Sequence, residues 1–172
     1  LGPLPLPAGT GTRWGPWWVE HRVLPYARLA RDRGNLSPSD AADVDAVCER
    51  IDELAGPDEP AALLHGDLWS GNVLWGADGA ARLVDPACHA GHRESDLAML
   101  ALFGCPHLER VLAAYAETAR DRGDPLAQGW QRRVPLHQLV PLLVHAVLFG
   151  GGYGARAGQA ARAALPAATS GH

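Results

Sequence analysis

The sequence predicts a mainly α-helical chain of the α+β class with one β-hairpin. Three observations carry this reading: six stretches place apolar residues at helical spacing, two short β-prone runs flank Asp78-Gly79, and no segment repeats. With 172 residues, 47% of them hydrophobic and 20% charged, the composition is that of one globular core rather than of a disordered chain.

Residues 1–16 hold Pro3, Pro5, Pro7 and Pro16 among four glycines, a density of helix breakers that reads as a linker. The domain proper is expected over 17–165. Its first helix, Trp17 to Ala30, contains Pro25, which should kink or divide it before Gly34-Asn35 ends it. The next is well signalled: Ser37 can cap it, Pro38 suits the first helical position, Asp40 suits the first turn, and Val44, Val47, Ile51 and Leu54 form one stripe. Gly56-Pro57 stops it. After a short apolar run, 61–64, and a glycine-bounded loop, 73–76 and 81–84 read as the two strands of the hairpin, because Asp-Gly between such runs favours a tight turn. Helices are then expected over 96–103, 108–120, 134–148 (interrupted by prolines) and 155–165, with a flexible tail over 166–172.

Composition also excludes. A net charge of -4 and a pI near 6.0 leave no basic face for a nucleic acid. All 15 basic residues are arginine, so lysine Schiff-base chemistry and lysine-dependent phosphate loops have no residue to use. The longest strongly apolar run, 139–149, is broken by Pro141 and His145 and falls short of the roughly 20 residues that span a membrane. Cys48, Cys88 and Cys105 form no CxxC pair and suggest neither a disulfide framework nor a zinc ribbon, which fits a reducing, cytoplasmic setting. The chain starts at Leu1 and its one methionine is the internal Met99, so a piece of a longer product is expected.

The chemistry-bearing residues cluster around the hairpin. A turn centred between Asp78 and Gly79 would place Asn72 opposite Asp85, with Cα atoms on the order of 5 Å apart. A carboxylate and an amide oxygen at that spacing suit a hard cation such as Mg²⁺. Asp67, five residues before Asn72 in a loop with glycines at 66 and 71, could act there as a general base. Acids and an amide around Mg²⁺ without a matching Cys or His nucleophile point to phosphoryl transfer. Plain roles remain open: Asp67 and Asn72 also suit ordinary turns, and Asp85 before Pro86 could merely end a strand. Cys88-His89-x-x-His92 is a weak transition-metal pattern without further ligands, and Gly150-Gly151-Gly152, which follows a helix, reads as a tight helix-to-helix turn.

His65-Gly66-Asp67-x-x-x-x-Asn72 followed by Asp85 resembles the catalytic loop and metal-binding aspartate of protein-kinase-like small-molecule kinases. The wider wording, LHGDLWSGN over 64–72, DPA over 85–87, RESDLAM over 93–99 and LFGGGY over 148–153, resembles the fructosamine kinase (ketosamine-3-kinase) family. The likeness runs from about Trp14 to Leu165. It implies the helical C-terminal lobe of a protein-kinase-like fold, with the hairpin carrying the metal site. It further implies ATP and Mg²⁺ as cofactors, Asp67 as the catalytic aspartate, Asn72 and Asp85 as metal ligands, and His65 and Asp96 as residues that brace the loop. Trp69, a flat apolar face near Asp67, is the candidate sugar platform. The acceptor implied is the C3 hydroxyl of a small-molecule ketosamine, whose 3-phosphate breaks down and frees the amine. The family's glycine-rich loop and ATP-holding lysine belong to an N-terminal lobe that these residues do not include, and that lobe is expected in the full protein. Two alternatives stand beside this reading: an aminoglycoside- or choline-type phosphotransferase, and an inactive binding module when the lobe is isolated.

Overall fold

Pro25 shapes the first helical stretch. It has no N–H to give the His21 carbonyl, which instead accepts from Arg22 Nη1 at 3.1 Å. In the structure, a computed structural model that describes residues 4, 6 and 9–166, the α-helical ladder widens to a π-turn over Val19–Val23 just before this proline. The π-turn joins α1 (Trp14–Trp18) to α2 (Leu24–Asp32). Residues 14–16 are therefore helical rather than linker, a correction to the expected boundary. Pro16 is tolerated because it falls in the first turn, where no helical N–H bond is lost, and Gly15 is buried. The tail expected over 166–172 lies, apart from residue 166, outside the described residues.

α3 (Pro38–Glu49) begins as its residues dictate: Ser37 Oγ accepts from the Asp40 N–H at 3.1 Å. α4 (Ile51–Leu54) continues it after a break at Arg50. Two small antiparallel sheets follow. β1 (Ala62–Leu64) pairs with β4 (His89–Gly91), and β2 (Val73–Trp75) pairs with β3 (Ala81–Leu83). The sequence shows only the second, because His-Ala-Gly carries no strand signal.

The hairpin register also differs from the expected one. Val73 faces Leu83 and Trp75 faces Ala81, and the Val84 N–H reaches the Asn72 carbonyl at 3.1 Å. Asn72 is thus opposite Val84, one residue short of Asp85. The cause is the turn: the Gly76 N–H bonds the Ala80 carbonyl at 2.8 Å, enclosing three residues, and Gly79 takes the left-handed φ of 77° that such a loop needs.

The rest is helical: α5 (Glu94–Leu102), α6 (Leu108–Asp121), α7 (Trp130–Phe149) and α8 (Tyr153–Ala164). α7 runs unbroken through Pro135 and Pro141, contrary to the interruption expected. Its buried residues Leu136, Leu139, Leu142, Leu143, Val144 and Val147 supply contacts that offset the roughly 3 kcal/mol each proline costs. They pack against Val23, Tyr26, Ala27 and Ala30 of the first stretch and Val44 and Val47 of α3. α8 closes the core on a small-residue face: a Cβ at Gly154 would overlap the Asn35 carbonyl, and one at Gly158 would overlap the Asp40 carboxylate. No helix among the described residues is long and apolar enough to cross a membrane. Gly154→Ala is expected to destabilise the chain by about 3 kcal/mol, since backbone must move to admit the methyl, and urea unfolding followed by circular dichroism checks it.

Candidate active site

The loop between β1 and β2 is fixed from its backbone outward. Asp96, in the first turn of α5, accepts the N–H of His65 on Oδ2 at 2.7 Å and that of Gly66 on Oδ1 at 3.0 Å. One carboxylate thus satisfies two successive amides, a charge-assisted arrangement. Gly66 sits at φ 79°, and a Cβ there would collide with the Ala87 carbonyl, so this position admits only glycine.

Both ring nitrogens of His65 are engaged. Its Nδ1 accepts from the Asp67 N–H at 3.3 Å, so the ring proton resides on Nε2, which donates to the Val84 carbonyl at 2.9 Å. The His65 carbonyl in turn accepts from the Ala87 N–H at 2.8 Å. Both flanks of Asp85-Pro86 are therefore tied to one histidine. Asp85 itself is held at φ 52°, a left-handed conformation costly for any residue with a Cβ.

After Asp67 the chain turns tightly through a 3₁₀ segment, Ser70–Asn72. Asn72 is buried, and its Nδ2 donates to the Asp67 carbonyl at 2.9 Å and to the Asp67 carboxylate at 3.3 Å. Its Oδ1 accepts no hydrogen bond among the described residues, and neither does the Asp85 carboxylate. The structure thus brings His65, Asp67, Asn72 and Asp96 into one hydrogen-bonded unit, with Asp85 attached through its neighbours.

Asp67 opens onto a cleft of about 460 Å³ walled by Trp69, Phe103, His145, Phe149 and Tyr153. The rings are mutually arranged: Trp69 meets Phe103 edge-on at 6.4 Å, and His145 lies 5.0 Å from both Phe103 and Tyr153. Trp69 is 40% exposed, a free face at the mouth. Phe103, His145, Phe149 and Tyr153 were not singled out as site residues in the sequence; the signal that could have found three of them is the four-residue spacing of His145, Phe149 and Tyr153, the last two within the 148–153 motif.

Beneath the loop lies a buried ionic group that sequence reasoning also missed. Glu94, two residues before Asp96, receives a two-pronged bond from Arg133 of α7, Nε to Oε2 at 2.9 Å and Nη2 to Oε1 at 2.5 Å. His137 Nε2 stands 3.4 Å from Glu94 Oε2, His137 Nδ1 pairs with Ser95 Oγ at 2.9 Å, and Trp14 stacks on the His137 ring at 4.7 Å. Donor atoms of His92, Glu94 and His137 fall within 4.8 Å of one another. The guanidinium already occupies both carboxylate oxygens, so the group is an ion pair with two neutral imidazoles rather than a ready metal site. The suspected Cys88-His89-x-x-His92 pattern does not assemble, since His89 bonds the Ala87 carbonyl at 2.9 Å while His92 is buried beside Trp14.

Burial pushes His92 down to about 4, aided by neighbouring His137, and burial likewise lowers His137. Burial alone would raise Glu94, but His137 and Arg133 override it and hold the carboxyl down at about 2. As pH falls below 6.5 the unfolded chain protonates His92 before the native one does, and below 4.5 it protonates Glu94 first. Both effects remove stability on acidification. The urea midpoint should hold above pH 7 and fall steadily from pH 6.5 to 4, and His92→Gln should flatten the upper part of that decline, as equilibrium unfolding across pH will read.

Comparison with known proteins bears on this geometry. A sequence profile described as "Fructosamine kinase" matches residues 1–166. Among curated relatives, a "Probable ketoamine kinase" of Klebsiella aerogenes is 37% identical over 88% of this chain and 49% of its own, and "Probable ketoamine kinase YniA" of Escherichia coli K12 is 38% identical over the same shares. The chain spans about half the length of these relatives. A solved structure from Thermobifida fusca, assigned by name as a fructosamine-3-kinase, superposes with a TM-score of 0.89 at 54% identity, covering 95% of this chain and 55% of that one. One from Haemophilus somnus shares the fold at a TM-score of 0.77 and 24% identity, over 96% of this chain and 54% of its own.

Proposed function

The chain belongs to the fructosamine kinase family, and from that premise we propose that it supplies the catalytic loop of an ATP-dependent kinase that phosphorylates the sugar 3-hydroxyl of a ketosamine. The observation that carries the proposal is the grip of Asn72 on Asp67, within a loop that Asp96 holds by two amides. A carboxylate whose position is fixed by a neighbouring amide, facing a cleft and in no ion pair among the described residues, suits taking a proton from a bound hydroxyl.

The donor set fits Mg²⁺. Asn72 Oδ1 and the Asp85 carboxylate are hard oxygens unspent on the protein, the types that this ion takes alongside substrate phosphates. When bound, the ion would neutralise charge on the transferring phosphoryl group. The protein's own part is positional. Asp67 orients the hydroxyl and receives its proton, while Asn72 keeps that carboxylate from rotating away. His65 and Asp96 touch no substrate in this scheme. They hold the loop so that the reacting groups meet within a fraction of an ångström. Trp69 offers its face to the sugar ring, and the aromatic wall excludes water from the exchange. The resulting 3-phosphate then decomposes and frees the amine, a deglycation.

Asp67→Asn in the full-length protein should lower kcat by at least about a hundredfold while far-UV circular dichroism stays native, measured as ADP release with Mg-ATP. Retained turnover would remove Asp67 from the chemistry. Running ketosamines beside aminoglycosides and choline decides the acceptor, and turnover confined to the latter two overturns the ketosamine reading.

A further inference from the structure

The cleft proposed to receive the substrate has one carboxylate in its lining, that of Asp67, and a guanidinium packed against its wall. The exposed Arg156 lies 5.5 Å from the centre of the Tyr153 ring and 5.7 Å from that of Phe103. Both rings belong to the cleft wall. The two rings therefore hold the arginine against the cleft wall. Among the described residues its guanidinium has one polar contact, a long 3.5 Å approach of Nη2 to the Leu102 carbonyl, and no ion pair. Arg162, six residues further along α8, pairs with both Asp40 and Asp43.

We propose that Arg156 is a specificity determinant that binds a carboxylate on the amine side of the substrate, so that the preferred acceptors are ketosamines of α-amino acids rather than of neutral amines. The inference rests on the ketosamine kinase reading above and adds the substrate class to it. A ketosamine presents, in order, a sugar hydroxyl, a secondary ammonium and the amine's own substituent. With the hydroxyl at Asp67 the ammonium crosses the aromatic wall, where ring faces favour a cation, and the substituent emerges toward Arg156. A carboxylate next to that nitrogen matches the planar fork of a guanidinium through two parallel hydrogen bonds. A neutral hydroxyl in its place offers one bond and no charge. The sequence of charges along the cleft, acidic, aromatic, basic, mirrors that of the ligand: donor hydroxyl, cation, anion.

The test compares N-fructosylglycine with N-fructosylethanolamine, which replaces the carboxylate by a neutral hydroxymethyl group, using ADP release by the full-length protein. The expected result is a kcat/KM preference of roughly ten- to a hundredfold for the glycine adduct, expressed in KM. Arg156→Gln should remove most of that preference by raising KM for the glycine adduct, and Arg156→Lys, which keeps the charge without the fork, should keep part of it. Equal kcat/KM for the two substrates, or equal losses for both in Arg156→Gln, overturns the role of Arg156 and leaves the kinase reading standing. Turnover of neither adduct overturns the ketosamine reading itself, and this inference with it.

Discussion

Two carboxylates at the start of α5 tie the loop of Asp67 to the core. Glu94 faces inward, where Arg133 fills both its oxygens, so α5 and α7 are joined by a buried, two-pronged ion pair. Asp96, half a turn on, faces the loop and takes the amides of His65 and Gly66. Helical geometry sets the angle between the two directions, since residues two apart point to nearly opposite sides. The buried junction of α5 and α7 thereby dictates where the loop backbone can be. Breaking the buried pair on one side alone would strand a charge in the core, which costs about 3–5 kcal/mol, so the anchor is kept whole or lost together.

From that anchor the order passes outward by hydrogen bonds of decreasing redundancy. His65 spends its two ring nitrogens and both of its backbone groups, reaching Asp96, Asp67, Val84 and Ala87. Asn72 spends its amide nitrogen on Asp67 and keeps its oxygen. Asp67 and Asp85, at the end of the series, keep most of their acceptor capacity. The acceptors that the fold leaves unspent thus belong to Asp67, Asn72 and Asp85, while His65 and Asp96, which hold the loop, are used on it.

Much of this was legible in the sequence, and the parts that were not share a cause. The cap at Ser37, the terminators Gly34 and Gly56, and the hairpin about Asp78-Gly79 follow from local chemistry, and each is present. The register slipped by one because Asp-Gly serves a two-residue turn and a three-residue loop alike, and only the bond between Gly76 and Ala80 decides between them. The unbroken α7 contradicts a sound local rule, for burial on this scale outweighs two prolines. At the site, the residues that share one loop could be read together. The Glu94–Arg133 pair could not, since partners 39 residues apart meet only in the folded chain.

Asp85 occupies a backbone conformation that glycine would adopt without strain, at a cost on the order of 1 kcal/mol or more. Selection for thermal robustness alone would drift this position toward glycine, as would any engineering programme that scores variants by melting temperature. Under the metal role proposed for Asp85, folding and ligand chemistry make opposed demands on one residue, and a more stable descendant of this chain would be a poorer one.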